Sequence, residues 1–480
     1  MLYNASTPGH PEWWLLRLGK KLETDRERFD ALDGYWRGKA PLPFGNQKMR
    51  EAYRRFQQQS KTNFMKLVAE SVIERLKVTG FRTGTEGNET LDKDAWGWWQ
   101  SNHLDSDSGL VHRAAVVMSR AYVIVGEDPD RPGQPKVTGE DPRQVIHESA
   151  PDDRRNIIAA MKTWFDDIAK RNVAVVYLPD SIYYYRSTQS SDQTSLFGGP
   201  SKWEIDTEDF ENGSADNPLG VVPVVPFLNC PDLSGQTLGE FESETPIQDR
   251  INTEVLDRMV ISAMQAYRQR WATGVDLTDE NGNPDSFDPG ADLLWNVSDE
   301  RAKFGEFNPA DIAGVLKAVE EDVQHLAAIT RTPPHYLLGA MINASGDALA
   351  AAETGLTSKV IERATEFGES WELVYQLAGR VMGKDIPDDC EVVWQNPQFR
   401  TLTELAAANV QLMQAQVPWR TRMELLDFTP AQIDRMQSER ASDALLNSIT
   451  IPTPVPSQGP PGGAAAEASQ VARAQQRSMT

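Results

Sequence analysis

The stretch NPADIAGVLKAVEEDVQHLAAITRTPPHYLLG, residues 308–339, decides the fold of this chain. Asn308-Pro309 predicts a helix start, because asparagine caps helices well and proline is tolerated in the first helical turn. The apolar residues that follow recur with the helical period; they are Ile312, Val315, Leu316, Val319, Val323 and Leu326. A helix over 309–331 should then end before Pro333-Pro334, since proline disfavours helix at the residue before it.

A second long helix is predicted just upstream, over 246–270, with Pro246 at its start. Between the two helices, residues 271–308 hold nine acids against Arg301 and Lys303, a net charge of -7. A chain that leaves and returns by two helices predicts an antiparallel hairpin with the acidic excursion at its tip. The residues predicted to pack in this helix pair are Ile251, Val255, Met259, Ile312, Val315, Val319 and Val323. Such a hairpin makes sense if identical neighbours pack side by side around a closed ring.

The rest of the chain predicts an α+β fold that is mainly helical. The elements expected before the hairpin are helices at 12–34 and 46–78, a helix or strand at 110–125, and strands at 173–178, 182–187, 202–206 and 222–228. The elements expected after it are a helix at 347–382, a strand at 392–394, and helices at 401–415 and 420–446. Residues 448–480 contain much Pro, Gly, Ala and Gln, which is typical of a disordered tail.

The charge of the chain is strongly negative and unevenly distributed. The 480 residues carry a net charge of -22, which argues against tight binding to a phosphate backbone. Residues 1–82 nevertheless hold 16 Lys and Arg against 9 Asp and Glu. This basic region suits three interpretations: a solvated helical face, a nucleic-acid contact, or contact with an acidic neighbour. Our hypothesis is that Lys20, Lys21, Arg54 and Arg55 meet an acidic neighbour or a genome.

No catalytic or metal-binding signature stands out. The sequence contains no phosphate-binding loop, no H-E-x-x-H motif and no G-x-S-x-G motif, and its six histidines are scattered. Cys230 and Cys390 lie too far apart to suggest a zinc knuckle. No cofactor, metal or enzymatic activity is therefore expected. The start of the chain shows no signal-peptide pattern, and the most apolar stretch, Val221 to Phe227, is too short to span a bilayer, so no membrane association is expected. A hydrolase based on unmarked carboxylates is the main alternative from another class.

Several short segments, in a shared order from about residue 40 to 400, resemble the SPP1-type portal proteins of tailed bacteriophages, in particular those of actinobacterial phages. The first segments are Pro41-Leu42-Pro43-Phe44, Thr62-Asn63, Val72-Ile73-Glu74-Arg75-Leu76 and the pattern from Trp96 through Trp99, Asn102 and Asp105 to His112. The later segments are Asp249-Arg250-Ile251-Asn252, Gln269-Arg270-Trp271-Ala272-Thr273-Gly274, Pro333 to Gly339, Ala350-Ala351-Ala352-Glu353 and Phe367 to Glu372.

The resemblance implies an architecture and a set of partners. The implied parts are a wing (1–245), two stem helices (246–270 and 309–331), a clip (271–308), a tunnel loop (332–346), a long helix and strand returning to the wing (347–400), a crown (401–447) and a tail (448–480). Family members form a ring, usually of twelve subunits, at one capsid vertex in the virion, after synthesis in the host cytoplasm. The implied partners are double-stranded DNA as cargo, the large subunit of the terminase motor, a head–tail adaptor, and the major capsid and scaffolding proteins. Another minor head protein remains an alternative.

Two sets of residues are predicted to work at the surfaces of such a ring. The first should line the tunnel near DNA and consists of Met341, Ile342, Asn343, Ala344 and Ser345; an ordinary helix connection is the alternative. The second should form a docking surface on the clip and consists of Asp279, Glu280, Asp285, Asp288 and Asp292; simple solubility of an exposed loop is the alternative. The tryptophan pairs Trp13-Trp14 and Trp98-Trp99 suit either base stacking or burial, and burial is favoured.

Overall fold

The fold is described from a computed structural model of the chain. It describes residues 5–43, 51–83, 93–188, 197, 202–208, 210–266, 270–274, 303–306, 312–339, 346–398, 402–426, 428 and 430–448. The predicted tail, 448–480, lies outside these residues except for Ser448. The chain divides into two compact units, the first ending at Pro430 and the second beginning at Ala431.

The first helix, α1 (Pro11–Trp36), joins two parts of the interior. Pro11 occupies its first turn, where a missing backbone N–H costs nothing. Leu15, Leu18 and Leu22 pack in a cluster with residues of an antiparallel sheet. Phe29 and Leu32, further along, belong to the main core. The helix predicted at 12–34 is therefore confirmed, and it packs in both the sheet cluster and the main core.

The single helix predicted at 46–78 is wrong. The described part of this region contains α2 (Glu51–Gln59), α3 (Phe64–Ile73) and the strand β1 (Val78–Arg82). Asn63 separates α2 from α3 because its side-chain oxygen caps the start of α3, accepting a hydrogen bond from Lys66 N at 3.2 Å. The side-chain amide of Asn63 donates to Trp36 O. The apolar stripe of the sequence continued across this break, so periodicity alone hid it.

The element predicted at 110–125 is in fact a helix followed by a strand. After α4 (Lys93–Ser101), α5 (Leu104–Met118) ends at Ser119, whose φ of 69° turns the chain into β2 (Arg120–Asp128). Trp98 and Trp99 on α4 are buried in the main core, as favoured from the sequence.

The strands after β2 form two antiparallel sheets. In chain order they are β3 (Arg131–Glu140), β4 (Val145–Ser149), β5 (Ile157–Asp166), β6 (Arg171–Tyr177), β7 (Ser181–Ser187), β8 (Trp203–Ile205), β9 (Ser214–Asp216) and β10 (Val224–Leu228). One sheet has the order β10-β2-β3; the other has the order β4-β5-β6-β7-β8, with β9 also pairing with β7. The strands predicted at 173–178, 182–187, 202–206 and 222–228 are confirmed; β3, β4, β5 and β9 were not predicted.

The second half of the chain is mostly helical. Its elements are α6 (Thr245–Ala266), β11 (Arg270–Thr273), β12 (Lys303–Glu306), α7 (Ile312–Ile329), α8 (Pro334–Leu338), α9 (Gly346–Val381), β13 (Glu391–Trp394), α10 (Leu402–Gln414), α11 (Trp419–Leu425) and α12 (Pro430–Ser448). The helix predicted at 246–270 ends earlier, since Arg270 already belongs to β11. The single helix predicted at 420–446 is two helices, α11 and α12.

The long helix α9 lies at the centre of the main core. Phe367, Trp371, Val374, Ala378 and Val381 recur with the helical period and predict an apolar stripe. The first four are fully buried and Val381 is partly buried, so the stripe is confirmed. The Trp371 ring meets Trp99 of α4 edge-on, with centroids 4.9 Å apart. After α9 the chain enters β13, which pairs antiparallel with β1. The C-terminal half of the chain thus returns to an element near the start.

Candidate assembly site at the helical hairpin

Helices α6 and α7 form the antiparallel pair that the sequence predicts. Early in α6, Arg250 donates from Nε and Nη2 to the two carboxylate oxygens of Asp322, late in α7, at 2.5 Å each. Further along α6, Val260 and Ile261 line one cleft together with Gly314, near the start of α7. Because the contacts run in opposite order along the two helices, the helices are antiparallel.

The predicted packing residues of this pair divide into two groups. Ile251, Val255 and Val323 are buried in the main core. Met259 and Val319 are partly buried against that core. Ile312 and Val315, near the start of α7, are half-buried. We call the end of the pair that contains the start of α6 and the end of α7 its base. Burial of the apolar stripes is more complete at the base than at the opposite end, near the start of α7.

The base of α6 is fixed to the segment between α2 and α3 by a polar network. Asn252 Oδ1 accepts from Thr62 N at 2.8 Å and from Thr62 Oγ1 at 2.9 Å. Gln248 Nε2 donates to Thr62 Oγ1 at 2.7 Å, and Gln248 Oε1 accepts from Phe64 N at 3.0 Å. Gln248 and Asn252 are buried and one helical turn apart, so both face Thr62. The segment that interrupts the predicted helix at 46–78, between α2 and α3, thus binds α6 through Thr62 and Phe64.

A buried ionic cluster fixes α9 to both helices of the pair. Glu240, shortly before α6, lies 3.0 Å from Lys359 Nζ and 3.1 Å from Arg363 Nε. The three side chains are only 4% to 6% exposed. Lys359 Nζ also donates to Thr330 O, at the end of α7, at 2.6 Å. The cluster therefore joins the approach to α6, the end of α7 and the middle of α9.

Tyr336 connects three separate parts of the chain. It lies in α8, and its hydroxyl accepts from Arg75 Nη2 at 2.7 Å and donates to Glu353 on α9 at 3.0 Å. The Arg75 guanidinium also lies 5.8 Å from the centre of the Tyr336 ring. These contacts hold the chain on both sides of residues 340–345 at defined positions relative to α3. The predicted tunnel residues, Met341 to Ser345, themselves lie outside the described residues.

The predicted docking acids Asp279, Glu280, Asp285, Asp288 and Asp292 also lie outside the described residues. The chain enters and leaves that excursion through a two-stranded ladder, in which Arg270 faces Glu306 and Thr273 faces Lys303. The exposed aromatic residues Trp271 and Phe304 lie on these strands. The turn sequence from Asp279 to Pro284 predicts strands on either side of it, and the ladder agrees with that prediction.

The basic face of α1 is largely neutralised within the chain. Arg17 and Lys21 both contact the carboxylate of Glu148, at 2.8 Å and 3.0 Å. Burial raises the pKa of Glu148, but the hydrogen bonds and charges of Arg17 and Lys21 together outweigh it, so the pKa is lowered overall. Lys20, Arg54 and Arg55 are exposed. The hypothesis of a basic contact surface therefore rests on these three residues more than on Lys21.

Both cysteines are held as neutral thiols. Burial raises the pKa of Cys230 to about 12 and that of Cys390 to about 11, so both thiols stay protonated at neutral pH. Within the described residues, no three His, Cys, Asp or Glu side chains come together as a metal site would require. None of the described helices is long and apolar enough to cross a lipid bilayer.

The most informative residues of this region escaped the sequence reasoning. Glu240, Lys359 and Arg363 were not singled out, because nothing local marks a buried ion cluster formed by residues more than a hundred positions apart. Tyr336 was noted only as part of a short motif. The one usable signal was two cations, Lys359 and Arg363, on the face of α9 that also carries Leu356 and Val360, all of them buried.

Comparisons with known proteins agree with the resemblance drawn from short segments. The family described as phage portal protein, SPP1 Gp6-like, matches residues 17–444. The portal protein of Mycobacterium phage D29 is 28% identical over 369 residues, which cover 73% of this chain and 72% of that protein. The portal protein of Mycobacterium phage L5 is 28% identical over 371 residues, covering 73% and 71% respectively.

Proposed function

Because the chain belongs to the SPP1 Gp6-like family of phage portal proteins, we propose that it forms a closed ring at one capsid vertex. Its function is that of a portal protein, a structural component of the virion. The observation that carries this conclusion is the family match over residues 17–444, nearly the whole chain. Viral double-stranded DNA would enter the capsid through the ring during packaging and leave through it at infection.

The α6–α7 pair is the proposed stem of each subunit. Its base is supported by the Arg250–Asp322 pair, the Gln248–Asn252 network and the Glu240 cluster. The opposite end of the pair, near the start of α7, is packed less completely by the same chain, since Leu316 is exposed and Ile312 and Val315 are only half-buried. Neighbouring subunits in a ring would bury these apolar groups.

The remaining parts follow the same assignment. Residues 1–245 would form the wing, and β13 would return to it through its pairing with β1. The acidic excursion, 271–308, would be the clip that docks the terminase large subunit and later the head–tail adaptor. Residues 332–346 would face the tunnel, and 401–447 would build the crown, whose helix α10 buries none of its side chains within the described chain. Capsid and scaffolding proteins would surround the ring, assembled from chains made in the host cytoplasm.

The acidity of the chain suits a channel through which DNA must move. A basic lining would bind phosphates and hold the duplex, whereas a neutral or acidic one lets it slide. A ring of twelve chains at -22 each would carry 12 × 22 = 264 negative charges. Transport would then be driven by the separate terminase motor, so the portal itself would need neither a catalytic residue nor a cofactor.

Mass photometry of the purified chain tests the proposal. A closed ring of twelve copies of 53.5 kDa gives a particle of 12 × 53.5 ≈ 642 kDa. Negative-stain images of the same sample should show a ring with a central hole. A species of 53.5 kDa alone, both by itself and after co-expression with capsid and scaffolding proteins, would overturn the proposal and favour a compact monomeric alternative.

A further inference from the structure

An open cleft of about 400 Å³ lies between α6 and α7, away from the base of the pair. Val260, Ile261 and Val315 make part of its lining apolar. Gly314 and Ala318 also line it, and their small size leaves room for a side chain to enter from outside. An apolar cleft that none of the described side chains fills favours an apolar side chain of a partner.

The acids of the cleft define the charge that such a partner should carry. Glu254 and Asp257 both line the cleft. The Oε2 atom of Glu254 is buried and has no hydrogen-bond partner among the described residues. Burial, and then the nearby charge of Asp322, raise the pKa of Glu254. The charge of Arg250 lowers this pKa in part, and a further cation beside Glu254 and Asp257 would offset more of the rise by favouring the charged carboxylates.

An apolar residue and a cation that could fill such a cleft, Leu316 and Lys317, lie on another side of α7. Leu316 is 46% exposed. Lys317 follows it with a side chain 76% exposed, 3.7 Å from Glu321. Because each helical residue advances about 100°, Leu316 lies roughly 160° around α7 from the cleft residues Gly314 and Ala318 and about 100° from Val315. Leu316 therefore points away from the cleft of its own chain and is available to another.

We propose that Leu316 of a second copy of this chain enters the cleft between α6 and α7, and that its Lys317 pairs with Glu254 and Asp257. The two surfaces differ, so the contact is heterologous and repeats from one copy to the next. Heterologous contacts of this kind close into a ring when the rotation between copies divides the circle. The inference rests on the proposed ring, and it specifies which sides of the helix pair meet.

Cysteine cross-linking tests which sides meet. The variant carrying both Asp257→Cys and Lys317→Cys should, on mild oxidation of assembled particles, give a ladder of covalent multimers in a non-reducing gel. Asp257→Cys alone and Lys317→Cys alone are the matched controls, and each should remain monomeric in the gel, as should the oxidised wild-type chain. Mixing the two single variants before assembly should give covalent dimers but no higher multimers.

The outcomes separate this inference from the proposed function. Rings with the ladder support the inference. Rings without the ladder, or with only an internal cross-link in single chains, overturn the inference and leave the portal function standing. If the wild-type chain forms no ring at all, the proposed function fails and the inference fails with it.

A second variant addresses the apolar half of the contact. Leu316→Glu should abolish the ring seen by mass photometry, because it would place a carboxylate next to Glu254 and Asp257. The matched control is Leu233→Glu, at a loop position that is 92% exposed, which should leave the ring population unchanged. Far-ultraviolet circular dichroism of both variants should equal that of the wild-type chain. Full ring assembly of folded Leu316→Glu would contradict the contact.

Discussion

The Arg250 guanidinium on α6 holds the Asp322 carboxylate on α7 through two parallel hydrogen bonds, 2.5 Å each. Asp322 is buried, whereas the Arg250 side chain is 53% exposed. The bidentate geometry fixes the direction as well as the distance between the two helices. Hydrogen bonding by Asp322 raises the pKa of Arg250, and the arginine is charged in any case at physiological pH.

Removing this link should loosen the helix pair by a small amount. Asp322→Asn is expected to cost roughly 1 kcal/mol, because solvent on the arginine side screens the pair. The measurement is the urea midpoint of the purified chain. Arg435→Gln, which breaks the exposed Arg435–Glu439 pair at 2.8 Å, is the control and should leave the midpoint almost unchanged. An equal shift of the urea midpoint in both variants would show that the Arg250–Asp322 pair stabilises the fold no more than an exposed surface ion pair.

The Glu240 cluster should be far more sensitive. Glu240→Gln leaves Lys359 and Arg363 as buried cations that have lost their shared carboxylate, and the expected loss is about 3 to 5 kcal/mol. Thermal unfolding should show the change directly. Glu362→Gln is the matched control, since Glu362 also approaches Arg363, at 3.7 Å, but is 54% exposed. Equal melting temperatures for Glu240→Gln and the wild-type chain would contradict the role given to the cluster.

Acid should weaken the fold through two histidines, His112, which is buried, and His147, which is half-buried. Burial lowers the pKa of His112 to about 4 and that of His147 to about 3, from an ordinary value of 6.5. Between these values and pH 6.5 the unfolded chain binds protons that the folded chain does not, so stability falls as the pH falls. His112, which accepts a hydrogen bond from Trp371 Nε1 at 2.9 Å, should account for up to roughly 3 kcal/mol by pH 4.

The histidine effect can be separated from acid effects of carboxylates. Urea midpoints measured between pH 7 and pH 5 should fall for the wild-type chain, in a range where most carboxylates stay ionised. The decline should be less steep in His112→Asn, even though that variant is less stable throughout. His10→Asn, at an exposed position, should keep the wild-type slope. A flat wild-type profile down to pH 5 would mean that the two histidines are protonated without cost.

The basic surface near the start of the chain should contribute to assembly. Reversing Lys20, Arg54 and Arg55 to Glu is expected to lower the ring yield or DNA packaging by roughly tenfold, as three exposed pairs at about 0.5 kcal/mol each would give. Lys136→Glu with Arg154→Glu, also exposed, is the control for a change in net charge. Lys21→Glu should instead lower monomer stability, because Lys21 pairs with Glu148 at 3.0 Å. Unchanged assembly and packaging would exclude the basic contact.

Sequence reasoning worked best where one element carries its own pattern. The stripe of α7 and the stripe from Phe367 to Ala378 on α9 could be predicted because helical periodicity is a local property. The break at Asn63 could not, since the apolar positions on either side of it continue one helical repeat. The strand β3 contains Pro132, Gly133 and Pro135 and shows little alternation, so only its pairing with β2 reveals it.

The candidate site was predictable in outline but not in its fixing contacts. The order of helix, acidic excursion and helix indicated a hairpin, and the Arg250–Asp322 ion pair and the cleft lined by both Val260 and Gly314 agree with it. The contacts that fix the hairpin join residues such as Thr62 and Asn252, or Glu240 and Lys359, which are far apart in sequence. Their pairing depends on the packing of the whole core, which no local pattern encodes.

The central claim is that identical chains surround a channel, and cryo-electron microscopy of the purified assembly, reconstructed without imposed symmetry, tests it most directly. The account predicts a ring with a central hole wide enough for a DNA duplex, with one α6–α7 pair per subunit arranged around it. A compact particle without a hole, or a ring in which the α6–α7 pairs lie on the outer rim, would contradict it.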